Sequence, residues 1–162
     1  MFKHSFEPIL AVNPKILILG SLPGDRSLEE NQYYAHPQNR FWQIIKNILE
    51  VNAEIEYIEC VSLLEKSGIC LWDVCMSAQR TGSMDSNIEK ETPNEINKFV
   101  TLNPSITTIV FNGQKAQKLY DKHLIRIKDL KYITLPSTSP ANAKYKKAQL
   151  LDAWKILTDL TV

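Results

Sequence analysis

Short apolar runs alternate with amphipathic segments along the chain, and this alternation predicts its secondary structure. Lys15–Leu19 is a near-continuous apolar run, which is typical of a strand buried on both faces of a sheet. Three further runs of this kind predict strands at Ile69–Val74, Thr107–Phe111 and Tyr132–Leu135. Because helical patterns separate the strands, the strands are expected to run mostly parallel.

Apolar residues at helical spacing predict the elements between the strands. The first helix begins near Asn39 and places its apolar residues, from Phe41 to Leu49, on one face. A second helix is predicted over Ile55–Ser67 and ends at Gly68. Three more are predicted from Pro93, after a Thr92 cap, to about Leu102, from Gly113 to about Lys122, and from about Asn142 onward.

The order of these elements predicts an α/β fold. The polar segment Ser77–Thr92 has no periodicity and several turn formers, so it is predicted to be a surface loop. The remaining elements fit a three-layer α/β/α architecture with a central, mostly parallel four-stranded sheet. Since no repeat or linker interrupts the pattern, residues 1–162 are predicted to form a single domain, and 44% apolar residues suffice for its core.

Composition removes several classes of function. With 19 Lys and Arg against 18 Asp and Glu, the chain is not a purely electrostatic nucleic-acid binder. It shows neither a leader pattern nor an apolar run of about 20 residues, so we expect a cytoplasmic protein without membrane contact. Neither a disulfide framework, a metal site nor a cofactor is expected, because the histidines are scattered and the three cysteines lack suitable spacing: Cys60, Cys70 and Cys75.

Polar residues follow each predicted strand. The four ends read Gly20-Ser21-Leu22-Pro23, Trp72-Asp73, Asn112-Gly113 and Ser137-Thr138-Ser139. The carboxyl ends of parallel strands lie at one edge of a sheet, where open α/β folds bind ligands. The alternative is that turns simply need Gly, Pro, Asn and Ser. Phosphate-loop, dinucleotide and nucleophile-elbow motifs are absent from the sequence, which leaves a pocket of neutral polar and aromatic groups.

Three segments stand out together: Gly20–Pro23, the run Tyr34–Trp42 and the loop Pro136–Pro140. They resemble the uracil-DNA glycosylase superfamily, and most closely its hypoxanthine-DNA (deoxyinosine) glycosylase family. The most specific part is His-Pro-x-Asn-Arg-Phe-Trp, which mismatch-specific uracil glycosylases share. The resemblance spans nearly the whole chain. It implies a uracil-DNA glycosylase-like fold and a monofunctional hydrolase, acting as a monomer on DNA that contains deaminated bases.

Two departures from the superfamily pattern shift the expected chemistry. Leu22 stands where many members carry Asp or Asn before the first-motif Pro, and Leu135 stands where the last motif often begins with His or Asn. The resemblance to the hypoxanthine family then implies that Asn39 is catalytic and orients the attacking water. The alternative for Asn39 is a cap of the following helix, and both roles are compatible.

The resemblance also assigns binding residues, each with a structural alternative. Tyr34 would stack on the flipped base, or else pack in the core. Asp73 would accept the hypoxanthine N1–H, or else cap a helix or pair with a cation. The expected base-binding set is Gly20, Ser21 and Leu22, through backbone N–H groups, with Tyr34, Asp73 and Asn112.

The loop after the last strand is the expected contact with DNA. Ser137, Thr138 and Ser139 would bind phosphate and enter the minor groove, although Ser139 stands where relatives often have a bulky wedge. Lys144 begins a basic cluster that is either a DNA contact or a solvated helix face. Two other functions remain open, a mismatch-specific uracil or thymine glycosylase and a non-catalytic binder of nucleobases or nucleotides.

Overall fold

The computed structural model of the protein describes residues 2–160. The predicted single domain of residues 1–162 therefore includes positions 1, 161 and 162, which lie outside the described residues. No helix within residues 2–160 is long and apolar enough to cross a membrane. In chain order the elements are β1 (Phe2–His4), β2 (Ile16–Gly20), α1 (Asp25–Glu30), α2 (Phe41–Ile48), α3 (Tyr57–Lys66), β3 (Ile69–Asp73), β4 (Cys75–Gln79), β5 (Glu89–Pro93), α4 (Ile96–Leu102), β6 (Thr108–Asn112), α5 (Gln114–His123), β7 (Lys131–Leu135), α6 (Lys147–Trp154) and α7 (Ile156–Leu160).

The central sheet contains four parallel strands in the order β3-β2-β6-β7. In this register Gly20 lies opposite Asp73, and Asn112 lies opposite Leu135. The chain passes from β2 to β3 on one side of β2, whereas β6 lies on its other side. Where the strand order reverses in this way, a crevice opens beyond the carboxyl ends of the strands. The predicted four-stranded parallel sheet is therefore confirmed.

Alternate residues of β2 face two separate cores, which makes the fold three-layered. Leu17 and Leu19 pack in a core to which α4 and α5 contribute. Ile16 and Ile18 face the opposite core, where α2, α3 and α6 contribute Phe41, Leu64 and Trp154. All five residues of β2 are buried, as expected for a strand covered by helices on both faces. The predicted α/β/α architecture is confirmed.

The prediction of a loop over Ser77–Thr92 is wrong. This segment contributes to β4 and β5, which pair antiparallel with each other, and β4 also pairs with β1. Pro93 lies opposite Cys75 at the end of β5, so it does not begin a helix; α4 begins at Ile96. The residues of β5 are exposed or half-buried and mostly charged. Their pairing comes from the neighbouring strand rather than from their own pattern.

The end of the chain also differs from its prediction. The predicted helix from about Asn142 begins at Lys147 and divides into α6 and α7. Residues 136–146 instead form a long loop, because its carbonyl groups accept hydrogen bonds from the Arg40 guanidinium. Strand β1 and helix α1 were not predicted, since three and six residues are too short for a clear period.

Asn94 connects the two sheets, and its replacement tests this connection. The side chain is 6% exposed, and its Nδ2 lies within hydrogen-bond distance of Asp73 O, Cys75 O and Ser5 Oγ. Asn94→Ala is expected to lower the free energy of unfolding by about 1–3 kcal/mol, because buried acceptors lose their donor. Denaturant unfolding measures this loss. Asn52→Ala, at an exposed position, is the control and should change stability by less than about 0.5 kcal/mol.

Candidate active site

A cleft of about 660 Å³ lies at the carboxyl edge of the parallel sheet. This volume is typical of sites for small organic groups. Each site residue that the sequence predicted lines the cleft: Gly20, Ser21, Leu22, Tyr34, Asn39, Asp73, Asn112, Ser137, Thr138, Ser139 and Lys144. The strand ends therefore meet as expected from a parallel sheet. Contact between these residues and a ligand is part of the proposed function.

Gly20 allows two polar side chains to approach the backbone at the inner end of the cleft. A Cβ atom at this position would lie 2.5 Å from Asp73 Oδ1 and 2.8 Å from the Tyr34 hydroxyl. Both distances are shorter than side chains tolerate, so only glycine fits here. Gly20 thus contributes by its missing side chain, which brings Asp73 and Tyr34 together.

Asp73 keeps a buried oxygen without a partner. The residue is 4% exposed, and Oδ2 has no hydrogen bond among residues 2–160. Burial and the nearby Asp85 carboxylate together raise the pKa of Asp73 to about 7, and Arg80 opposes the shift. A buried polar atom without a partner is costly and rare in folded proteins. Among residues 2–160, Asp73 neither caps a helix nor forms a salt bridge, so these structural roles do not account for it.

Tyr34 has an unusual backbone conformation and a fixed ring. Its φ is 54°, a left-handed conformation that bulky side chains seldom adopt and that is common at functional sites. The ring stacks on Phe41 with centroids 4.3 Å apart and an interplanar angle of 26°. Its hydroxyl lacks a hydrogen bond of ordinary geometry within residues 2–160, although the Asn112 side chain lies beside it. Burial and Asp73 raise the Tyr34 pKa, so the hydroxyl stays protonated.

Asn112 joins the end of β6 to the last loop. Its Nδ2 donates to Thr138 Oγ1 at 3.1 Å, and its Oδ1 accepts the Thr138 backbone N–H at 3.0 Å. Thr138 is fully buried, so its hydroxyl faces Asn112 and cannot reach a phosphate in this arrangement. Thr138 therefore positions Asn112, whose amide borders the cleft, and its predicted phosphate contact stays a prediction.

Asn39 lines the cleft and precedes Arg40, the N-cap residue of α2, so it caps the helix from the position before the N-cap. Its Oδ1 accepts the Phe41 backbone N–H, the first of α2, at 3.0 Å. This bond fixes the orientation of the amide but uses only one lone pair of the oxygen. Hydrogen bonds from Asn39 Nδ2 are absent within residues 2–160. Capping and a role in the cleft are therefore compatible.

Arg40 holds the last loop against the first helix of the site. Its guanidinium donates to the carbonyl groups of Ser139, Asn142 and Tyr145, and its backbone N–H donates to Thr138 O at 3.1 Å. Because Arg40 follows Asn39 directly, the same backbone segment places Asn39 and the loop. The sequence motif contained this arginine, but its role is visible only in the fold.

The loop Gly20–Gly24 is fixed from behind by Arg80, which sequence reasoning missed. Arg80 is 4% exposed and donates to the carbonyl groups of Leu22 at 3.4 Å and Pro23 at 2.5 Å. Leu22 is itself buried in the core, as its apolar side chain dictates. Arg80 lies near the start of the segment Ser77–Thr92, which the sequence presented as a polar loop, so no local signal indicated that it is buried.

Ser21 contacts a second residue of that segment. The Ser21 hydroxyl donates to Asp85 Oδ1 at 2.7 Å, and Asp85 lines the cleft. Asp85 therefore lies beside the first loop, where the sequence shows Leu22 in place of a carboxylate or amide. Asp73 and Asp85 line the cleft, and Arg80, behind the first loop, interacts electrostatically with both.

The outer part of the cleft carries the remaining predicted contacts. Ser137 Oγ accepts the Ser139 backbone N–H at 3.2 Å, and Ser139 Oγ accepts that of Ala141 at 3.2 Å. Both serines are half-buried and braced by these bonds. Lys144 is exposed at the rim, whereas Lys146 and Lys147 do not line the cleft. The predicted basic cluster therefore reaches the cleft through Lys144.

Asp73→Asn tests whether the buried carboxyl group is held at the expense of stability. The pKa of Asp73 in the folded protein, about 7, exceeds the ordinary value of 3.8, so the free energy of unfolding of the wild type falls as the pH rises from 3.8 to about 7. An amide does not ionise, so the variant does not show this fall. Its unfolding free energy relative to wild type should therefore rise by about 2–3 kcal/mol between pH 5 and pH 8.

Denaturant unfolding at several pH values measures this difference. The exposed Asp152 provides the matched control, Asp152→Asn, whose stability should follow the wild-type pH profile. Parallel profiles for wild type and Asp73→Asn would contradict the raised pKa.

Comparison with known proteins places this arrangement in a family. The model of the family described as the uracil DNA glycosylase superfamily matches residues 8–161. A relative called hypoxanthine DNA glycosylase, from Methanosarcina acetivorans, is 36% identical over 148 residues, which are 91% of this chain and 92% of the relative. A relative of the same name from Methanosarcina barkeri is 34% identical over 150 residues, 92% of this chain and 94% of the relative.

A solved structure supports the same assignment. It is a solution NMR structure from Methanosarcina acetivorans, described as a candidate uracil DNA glycosylase. The two structures agree with a TM-score of 0.86 and 34% identity, and the match covers 99% of each chain. The resemblance seen in the sequence motifs is thereby confirmed. Since the family match covers nearly the whole chain and agrees with the fold, this protein belongs to the uracil DNA glycosylase superfamily.

Proposed function

We propose that this protein removes hypoxanthine from deoxyinosine in DNA by hydrolysis of the N-glycosidic bond. The proposal is supported by two relatives called hypoxanthine DNA glycosylase at 34–36% identity. The observation that carries it is the buried Asp73 oxygen without a partner, beside the Tyr34 hydroxyl in a cleft of suitable size. Such groups are costly unless a ligand satisfies them.

The proposed ligand for Asp73 is the N–H group that deamination creates. Hypoxanthine carries N1–H beside O6, where adenine carries a lone pair on N1 beside an amino group. An ionised Asp73 accepts a hydrogen bond from N1–H but repels the adenine lone pair. Backbone N–H groups of Ser21 and Leu22, with the Asn112 amide, are the proposed donors to O6 and the ring nitrogens. The cleft would thereby favour a deaminated base over its normal parent.

Tyr34 is proposed to stack on the extruded base. Phe41 packs against one face of its ring, which leaves the other face as the platform within the cleft. Stacking of a base on an aromatic side chain contributes about 1–3 kcal/mol. A base must leave the duplex to reach such a pocket, and a mispaired base leaves at a lower cost. This step favours deoxyinosine in a mismatch over a normal base pair.

Asn39 is proposed to position the attacking water. In the reaction, the water oxygen bonds to the sugar carbon C1′ and the bond from C1′ to the base nitrogen breaks. The base leaves with the electron pair and takes up the proton that the water releases. A neutral amide is a weak base, so Asn39 contributes through position and dipole rather than by proton abstraction. The capping bond to Phe41 holds its oxygen in a fixed direction.

Contacts with the DNA backbone are proposed for Ser137, Ser139 and Lys144 at the rim. With a formal net charge of only +1, the affinity for DNA should be modest and sensitive to salt.

We expect a monomer that acts in the cytoplasm. The free, buried state of all three cysteines, Cys60, Cys70 and Cys75, fits a reducing compartment.

A panel of duplex substrates tests the proposed specificity. Single-turnover rates should be highest with deoxyinosine and at least about tenfold lower with deoxyuridine, because a pyrimidine makes fewer contacts with the pocket and such contacts are worth one to a few kcal/mol. Deoxyxanthosine carries the same N1–H and O6 groups, so its rate measures discrimination at C2. Abasic product is measured by strand cleavage in alkali. Cleavage of deoxyuridine without cleavage of deoxyinosine would instead assign a mismatch uracil glycosylase. A complete lack of abasic product would leave only base binding.

Replacements of Asn39 separate catalysis from capping. Asn39→Ala should lower the single-turnover rate at least about 100-fold, as the loss of one positioned polar group does. Asn39→Ser retains a good helix cap and therefore stability, yet should be similarly inactive. Gln38→Ala, which changes an exposed neighbour outside the cleft, serves as the control with wild-type rates. High activity of Asn39→Ser would reduce Asn39 to a cap.

A further inference from the structure

Extruding a base from a duplex leaves a gap in the stack. Proteins that unstack DNA often fill such gaps with an apolar side chain, commonly Phe, Leu, Ile, Met or Pro. Filling of a gap by this chain rests on the proposed function, because a gap arises only if the protein extrudes a base.

The loop after β7 offers little for this purpose. Ser137 and Ser139 have small side chains, and both are occupied by backbone N–H groups of the same loop. The Ser139 carbonyl group is held by Arg40 at 3.0 Å. Pro140 and Ala141 are the exposed apolar residues of this loop that line the cleft. Both have compact side chains, which reach less far than an extended one.

Met84 lines the cleft from a different loop. Its side chain is 53% exposed, and it is the only large hydrophobic residue of residues 2–160 that is both exposed and part of the cleft lining. Met84 stands in the loop between β4 and β5, before a short 3-10 turn over Asp85–Asn87. An unbranched thioether adapts to irregular surroundings, which suits a gap between bases of differing size.

The loop that carries Met84 is braced against the base pocket on both sides of this residue. Before it, Gly82 O accepts Arg80 Nε at 2.8 Å, and Arg80 also holds the first loop. After it, Asp85 accepts the Ser21 hydroxyl at 2.7 Å. The Asp85 carboxylate is thus turned toward Ser21. These bonds fix the base of the loop relative to the pocket while the Met84 side chain remains exposed.

We propose that Met84 is the residue that enters the duplex and occupies the space vacated by the extruded base. It would hold the base in the pocket by blocking its return to the stack. In this arrangement Arg80 is a positioning residue, because it holds both the first loop and the loop of Met84. The wedge comes from the second, antiparallel sheet rather than from the loop after the last parallel strand.

The test compares duplex with single-stranded deoxyinosine substrates, since a single strand has no partner base and leaves no comparable gap. Met84→Ala should lower the single-turnover rate on the duplex roughly tenfold or more, and on the single strand at most about threefold. Met84→Leu should restore most of the duplex rate. Met76→Ala is the matched control, because Met76 is 47% exposed on β4 and does not line the cleft. It should match wild type on both substrates.

A second readout needs no cleavage. A duplex with 2-aminopurine next to deoxyinosine becomes more fluorescent when the stack opens, and Met84→Ala should reduce the increase that follows binding. Equal losses on duplex and single strand, or a duplex-specific loss in Pro140→Ala but not in Met84→Ala, would overturn the proposal. If wild type cleaves neither substrate, the proposed function fails, while the fluorescence of wild type against Met84→Ala still decides the role of Met84.

Discussion

The cleft depends on the hydrogen bonds that Arg40 donates to the loop after the last parallel strand. This loop of eleven residues, 136–146, has no regular structure of its own, so its carbonyl groups need donors from elsewhere. Arg40 supplies donors to Ser139, Asn142 and Tyr145 from the residue next to Asn39. A planar guanidinium with five N–H groups suits this task, whereas a lysine could not span several carbonyl groups in the same way. The loop and Asn39 are consequently positioned by one short segment.

Arg80 likewise holds the first loop, Gly20–Gly24, through hydrogen bonds to its carbonyl groups. Its side chain is buried and binds backbone carbonyl groups, and the nearby Asp85 carboxylate opposes the fall in its pKa that burial causes. Because Arg80 holds the carbonyl groups of this loop on the side away from the cleft, the loop geometry does not depend on the Leu22 side chain. This explains how a leucine is accommodated at a position that carries a polar residue in many superfamily members. Rigid loops on a rigid sheet are what a recognition site requires.

The inner cleft combines features that reduce stability. Asp73 has a buried oxygen without a partner, Tyr34 has a left-handed backbone, and Gly20 leaves space that any other side chain would fill. Each feature breaks a rule that the rest of the fold obeys, and such exceptions concentrate at functional sites. They occur together at the place where the proposed ligand, rather than the protein, would complete the hydrogen bonds. The same pattern is consistent with selective binding of a base that carries an N–H group.

The sequence determined the central sheet, because strands buried on both faces need apolar residues at every position, as in Ile16–Leu19. It also located the cleft, since strand ends of a parallel sheet meet by geometry, and it named Asn39 within a specific motif. Tertiary structure alone decided the rest. Strand β5 is too polar to be recognised from its sequence, and it forms because β4 pairs with it. The loop at 136–146 is non-helical because its carbonyl groups accept hydrogen bonds from Arg40. Tertiary contacts likewise position Arg80, Asp85 and Met84, because contacts between distant segments depend on packing that no local pattern encodes.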